Sequence, residues 1–335
     1  MPEGICRLQN LGNTCYMNSI FQILIHTPEL NHAIIKSKPT SISIKRAEYE
    51  LIYFWKDMIH SVYSSTNIPT ISPRSLVQCI RKLSSKQCVL YANSQQDASD
   101  FIIFIIDVFH KALSYTANIK TQDVIRDTNR LEYYARIKQI YASNYSDIVT
   151  SFYGTYITEI IDKRTLTVLS VTFDPYFITN IPVNTTTGKE TIYDGLNTVF
   201  GSEVLEGDNM WINPDTQAHQ AVIKRTQLWT VPNVFIINLK KYTLNHKLEC
   251  YIEIPHVLEL TSYMHETTYR ECIYDLYAVC NHVGDLHSGH YYSYVYISKI
   301  NSWICLNDSC VPYKLQLHQV ITSNAVCLFY RVRNT

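Results

Sequence analysis

The chain has 335 residues, 46% of them apolar and 17% charged. That balance supports a sizeable core and excludes the weakly hydrophobic, highly charged regime of disordered chains. Twenty-nine Lys plus Arg offset 29 Asp plus Glu, so no global basic field points to nucleic acid or an anionic membrane, and any partner is expected to be recognised locally.

In chain order, the first amphipathic pattern is Met17, Ile20, Phe21, Leu24 and Ile25, which share one face at a period near 3.6 before Pro28 ends it. A second helix is predicted through Leu51, Trp55, Met58, Ile59 and Val62. A third starts at Ser72-Pro73 and carries Leu76, Ile80 and Leu83. A fourth is expected to be capped by Ser94, with Asp97 three residues on, ahead of Phe101, Ile102, Ile105 and Val108. Its apolar run, Phe101 to Phe109, is too short to span a bilayer and contains Asp107, and the first residues lack an apolar targeting region. The protein is therefore expected to be cytoplasmic or nuclear, with no membrane partner. Beyond about residue 150 the texture turns alternating and β-branched, with strands predicted at 166–173, 234–239, 274–280, 291–297, 303–306 and 325–332. Helices first and strands afterwards imply an α+β protein, with a site in the cleft between the two parts.

Ten cysteines at scattered spacings, with no Cys-x-x-Cys, fit reduced core thiols better than a disulfide framework or a zinc ribbon. Cys15 differs in its position. It opens the first helix, where unsatisfied backbone N–H groups and the positive end of the helix dipole favour a thiolate and can donate to a developing oxyanion. Gly12 permits a sharp turn into the helix, and the Asn10 amide is a candidate second oxyanion donor. A cysteine at a helix start is more often a small buried hydrophobe. A nucleophilic thiolate also needs an imidazole, and the imidazole an orienting group; the segment His282 to Tyr294, followed by Asn307-Asp308, offers both on neighbouring strands.

Five segments together carry a resemblance. Asn10-Leu-Gly-Asn-Thr-Cys-Tyr-Met-Asn-Ser19, Gln95-Gln96-Asp97-Ala98-Ser99-Asp100-Phe101, Leu239-Lys-Lys-Tyr242 and the His282 to Tyr294 stretch, closed by Cys327-Leu-Phe-Tyr-Arg331, resemble in that order the motifs of the ubiquitin-specific proteases. The resemblance implies a papain-like core in one catalytic domain over 1–335, with a helical thumb at 1–125, a fingers-like β region at 150–230 and a β-rich palm at 231–335. It implies Cys15 as nucleophile, His290 as base and then acid, Asn307 as the residue orienting the imidazole, Asn10 as oxyanion donor, and Asp308 as a possible aid to or substitute for Asn307. It further implies that Asp97 and Gln96 hold the extended tail of ubiquitin, with His282 at the cleft rim and Tyr291 beside the channel. His287 rivals His290 by residue type, its other reading being a solvated loop residue. The expected partners are ubiquitin and ubiquitinated proteins, with no nucleic acid, and the chain is expected to be a monomer.

Two departures sit inside the motifs: Arg7 stands where the family has glycine and Asp100 where it has Glu. A larger one concerns metal. Where many relatives carry four zinc-binding cysteines, this chain has Asp162, Thr165, Ile212 and Asp215, so no structural metal and no cofactor are expected. The β region would then be held by packing among Val168, Val171, Phe173 and Trp211. Two other readings share the motifs: a catalytically weak ubiquitin-binding scaffold, and a protease for a ubiquitin-like modifier. Other papain-like peptidases have no place for the Gln95 and Leu239 segments.

Overall fold

Amphipathic periodicity organises the first third of the chain. The computed structural model describes residues 3–37, 46–87, 96–120, 127–183, 190–243, 246–285 and 288–333. Helix α1 (Cys15–Ile25) is buried at every position, as befits a helix enclosed by its neighbours. Around it stand α2 (Pro28–Lys36), α3 (Tyr49–Ser64), α4 (Arg74–Gln87) and α5 (Ala98–Leu113). Pro28 both closes the α1 pattern and opens α2, where its fixed φ suits the first turn. Phe21, Trp55, Phe101 and Phe109 interlock through tilted and edge-to-face contacts, with Trp55 and Phe109 centroids 5.4 Å apart. The cap of α5 differs from the expectation. Asp97 is the N-cap and accepts from Ser99 N at 2.7 Å, while Ser94 lies outside the described residues.

The C-terminal part is built on an eight-stranded sheet. Its order is Tyr313–Leu315, Ser302–Leu306, Gly289–Ile297, Ile273–Gly284, Ala325–Val332, Val234–Lys240 and Ile178–Pro182, with Val257–Glu259 paired to one end of Ile273–Gly284. The run 325–330 is wholly buried because both faces are covered. Cys327 and Phe329 turn to the helices, and Leu328 and Tyr330 turn to a second core on the far side. Helix α1 lies across strands Gly289–Ile297 and Ile273–Gly284, so the N-terminal motif and the histidine strand share one interface.

From the middle of the chain comes a four-stranded sheet in the order Val168–Tyr176, Gly154–Asp162, Val222–Thr230, Ser202–Leu205. Helix α6 (Thr128–Tyr141) packs against its edge strand. The core of this sheet keeps Phe173 and Val171 of the four predicted residues and not Val168 or Trp211. Ile157, Phe173 and Trp229 form it, flanked by Tyr133 and Val171. Val168 is 50% exposed, and Trp211 belongs to a separate ribbon with His219–Gln220. Helix α6 buries only Tyr141, so it has no apolar stripe by which periodicity could find it. The donor set does not fit tetrahedral zinc. Asp162 Oδ1 accepts from Arg164 N (2.9 Å) and Thr165 N (2.7 Å) to close a turn, and Ile212 offers no ligand. Among the described residues no three His, Cys, Asp or Glu side chains converge on one point. Nor is any helix of these residues long and apolar enough to cross a membrane.

Candidate active site

The approach to Cys15 is a tight turn. Gly12 (φ +90°) and Asn13 (φ +53°) both occupy the left-handed region, which glycine adopts without strain and asparagine tolerates. Asn10 closes the turn from its side chain: Oδ1 accepts from Gly12 N (3.0 Å), Thr14 N (3.4 Å) and Thr14 Oγ1 (3.2 Å). Cys15 is then the first residue of α1 and only 2% exposed, among the unpaired N–H groups of the first helical turn.

His290 comes from the strand Gly289–Ile297, and Asn307 follows the paired strand Ser302–Leu306. That pairing sets the Asn307 side chain against the imidazole, with His290 Nε2 to Asn307 Oδ1 at 2.7 Å. A carboxamide oxygen only accepts, so Nε2 carries the proton and the other ring nitrogen is left for the sulfur. Cys15, as hydrogen-bond partner, is the strongest influence on the acidity of His290. With Asn307 and the nearby Asp308 charge, and against the effect of burial, it lifts the imidazolium pKa to about 9. Residues 275 positions apart in the chain thus meet across the contact between α1 and the sheet.

Asp308, whose charge favours the His290 imidazolium, also has hydrogen-bond partners that the sequence did not indicate. Its backbone is left-handed (φ +44°). Its Oδ2 accepts from Asn10 Nδ2 (2.9 Å), its Oδ1 from Asn18 Nδ2 (2.7 Å) and its carbonyl from Leu8 N (2.9 Å). The carboxylate is therefore spent on orienting Asn10 and tying the N-terminal segment to the turn after Asn307, and it reaches His290 only through space. Asn18 completes this chain of contacts. It is 1% exposed and also donates to Gln9 O (3.1 Å). Sequence reasoning passed over it, although an amide one turn after the cysteine on a helix buried all round was a signal of a specific partner.

The expected tail contacts separate into two groups. Asp97 and Gln96 stand half-buried at the start of α5, where Asp97 Oδ1 caps the helix. His282 is not at the rim. It is 4% exposed, its ring lies 4.4 Å from that of Tyr291 and 5.8 Å from that of Tyr242, and burial drives its pKa down to about 4. A side chain on Gly289 would place Cβ 2.1 Å from His282 Nε2, so the glycine before His290 is the space this ring occupies. Tyr291 is also buried, at 5%, with its hydroxyl 3.3 Å from that of Tyr242. Gln95 and His287 lie outside the described residues.

A sulfur at a helix start, an imidazole and a carboxamide in line are the elements of a Cys-His-Asn peptidase. The family model for ubiquitin carboxyl-terminal hydrolase matches residues 6–330. The chain belongs to that family. Among its curated relatives, ubiquitin carboxyl-terminal hydrolase Usp2 of Drosophila melanogaster is 27% identical over 98% of this chain and 35% of its own length. Ubiquitin carboxyl-terminal hydrolase 2 of Bos taurus is 26% identical over 98% and 55%. Ubiquitin carboxyl-terminal hydrolase 8 of Saccharomyces cerevisiae is 24% identical over 99% and 71%. The chain thus spans between about a third and just over half of the first two relatives. In fold it matches Ubp8 of the SAGA DUB module, solved with Sgf11, Sus1 and Sgf73 and bound to monoubiquitin, at a TM-score of 0.76 and 24% identity, covering 99% of this chain and 70% of that one.

Proposed function

We propose that this member of the ubiquitin carboxyl-terminal hydrolase family is an active cysteine deubiquitinase that cleaves isopeptide bonds after the C-terminal glycine of ubiquitin. The observation that carries the reading is His290, held by Asn307 on one side and facing the Cys15 sulfur on the other. In the proposed reaction the sulfur attacks the glycine carbonyl carbon, a C–S bond forms, and the carbonyl electron pair moves onto oxygen. The second Nδ2 hydrogen of Asn10 and the N–H groups at the start of α1 receive that charge. On collapse the C–N bond breaks and His290 gives its proton to the departing lysine amine. His290 then takes a proton from water, which attacks the thioester and releases the ubiquitin carboxylate with the thiol restored.

Asp97 and Gln96 are the residues proposed to accept and donate along the backbone of the extended tail, with Asp97 also pairing its basic side chains. His282 and Tyr291, being buried, would support the channel wall from beneath. The names of the relatives favour ubiquitin as the modifier. The test is a ubiquitin probe with an electrophile at its C-terminus. Covalent labelling of the wild type that vanishes in Cys15→Ala supports the enzyme. Saturable ubiquitin binding with no labelling would favour a scaffold, and labelling by another modifier alone would move the substrate to that modifier.

A further inference from the structure

The strand pair that carries His290 projects past the rest of the eight-stranded sheet. Strand Ser302–Leu306 joins the histidine strand only from Ser293 onward, which pairs with Leu306. On the other side of Ile273–Gly284, strand Ala325–Val332 pairs no further than Asn281. At His290 the sheet is thus reduced to two strands, with Val283 opposite His290 and Gly284 opposite Gly289. A two-stranded ribbon has little stability of its own, yet this one holds the imidazole between the Cys15 sulfur and Asn307 Oδ1.

One backbone edge of the ribbon has no strand beside it. His282 N donates at 2.9 Å to the carbonyl of Asn324, the residue just before strand Ala325–Val332. In an extended strand the N–H and C=O of one residue leave by the same edge, and the residue two places on repeats the direction. The carbonyls of His282 and Gly284 therefore face the side on which Ala325–Val332 has ended. Lys247 takes its place there. Its Nζ donates to His282 O at 2.7 Å and to Gly284 O at 3.2 Å, the two carbonyls that flank Val283, and such charge-assisted bonds are the stronger kind.

Lys247 is itself held by the chain that follows strand Val234–Lys240. It bridges Tyr242 in antiparallel register, and Leu248 N donates to Lys241 O at 2.7 Å. Tyr242 in turn meets Tyr291, the neighbour of His290, hydroxyl to hydroxyl. The lysine is half-buried, and burial draws its pKa below the ordinary lysine value. An ammonium withdrawn from water is costly without acceptors, so the two carbonyls hold the side chain as firmly as it holds them.

We propose that Lys247 is a positioning residue for His290: its ammonium stands in for the missing strand at the open edge of the ribbon and fixes the histidine against Cys15. Its catalytic meaning rests on the deubiquitinase reading above, whereas the placing of the imidazole can be measured without any substrate.

The test follows the titration of His290 by NMR in protein with isotope-labelled histidine, its signal identified by absence from His290→Gln, alongside kcat/KM on a fluorogenic ubiquitin amide. Lys247→Met removes the ammonium at similar length, and Lys247→Arg keeps a charged donor. With the edge released, the imidazole loses its close approach to Cys15, the largest influence raising its pKa. His290 of Lys247→Met should therefore titrate at lower pH than in the wild type. Its kcat/KM should fall about tenfold, and the alkaline limb should move down with the titration. Lys247→Arg should titrate as the wild type does and keep kcat/KM within about threefold. Should Lys247→Met melt below the assay temperature, Lys247→Gln, which is uncharged, is expected to shift both readouts in the same direction. A lysine that merely supports the fold would lower the melting temperature and leave the titration unmoved. His290 titrating alike in the wild type and in the folded Met or Gln variant would overturn the role, as would a loss in Lys247→Arg equal to that in Lys247→Met. A wild type without hydrolysis would refute the deubiquitinase reading, and the titration would still decide the role of Lys247.

Discussion

Whether Asp308 acts on the oxyanion side or on the imidazole can be decided by a double-mutant cycle with Asn10. Asn10→Ala removes the proposed oxyanion donor, and loss of one such donor costs about 10²–10³ in kcat. Asp308→Ala removes two charge-assisted hydrogen bonds, at 2.9 Å to Asn10 and 2.7 Å to Asn18, each worth about 1.5–3 kcal/mol. The Asn10 contact is exposed, so the lower figure applies, and Asp308→Ala should slow turnover about tenfold through disorder of the Asn10 amide. The Asn18 contact is half-buried and its loss should appear chiefly as about 1–3 kcal/mol of stability in urea denaturation. In the double variant the rate should equal that of Asn10→Ala alone within about threefold, because the Asp308 contribution passes through Asn10. The assay is hydrolysis of a fluorogenic ubiquitin C-terminal amide at saturating substrate. Losses that multiply would refute the reasoning and mean that Asp308 acts on His290 directly.

Other outcomes follow from the same geometry. Since Asn307 helps hold the His290 imidazolium, whose pKa in the free protein is raised to about 9, kcat/KM should fall as pH rises through about 9, and Asn307→Ala should move that alkaline limb to lower pH in a kcat/KM profile; an unmoved limb would contradict the assignment. Gly289→Ala sets a Cβ 2.1 Å from His282 Nε2 and 2.6 Å from Val283 O, and should destabilise the protein by about 1–3 kcal/mol in urea titration. Lys241 is fully buried, with Nζ donating to Cys250 O (3.0 Å) and Ser323 O (2.8 Å), and burial depresses its pKa from 10.5 to about 8. Between those values the unfolded chain binds more protons, so the wild type should gain stability relative to Lys241→Met as pH rises from 8 to 10.5; parallel curves would exclude the linkage. Phe173→Ala should cost about 3–5 kcal/mol, whereas Val168→Ala, at a half-exposed position, should stay within about 0.5 kcal/mol.

Strongly periodic segments were legible before any coordinates. The α1, α3 and α4 patterns and the strand at 325–332 could be read because each buries a repeating apolar face, and Cys15, His290 and Asn307 could be named because each stands in a dense motif. Helix α6 and the short pairing strands could not, since their stability comes from neighbours that the local sequence does not contain. The cap of α5 was misplaced by three residues because Ser94 and Asp97 are both competent caps, and only the rest of the fold chooses between them.

The sequence by itself determined the kinds of chemistry available: a thiol at a helix start, an imidazole with small residues around it, a carboxamide, and a carboxylate adjacent to it. Tertiary structure decided their partners. Asp308 bonds to Asn10 and Asn18 because a left-handed turn after Asn307 brings it against α1, and His282 lies beneath the rim because the glycine across the hairpin leaves room for its ring. Hydrogen bonds and burial depend on distances between residues remote in the chain, and local pattern carries no information about those distances until the strands pair and α1 settles on them.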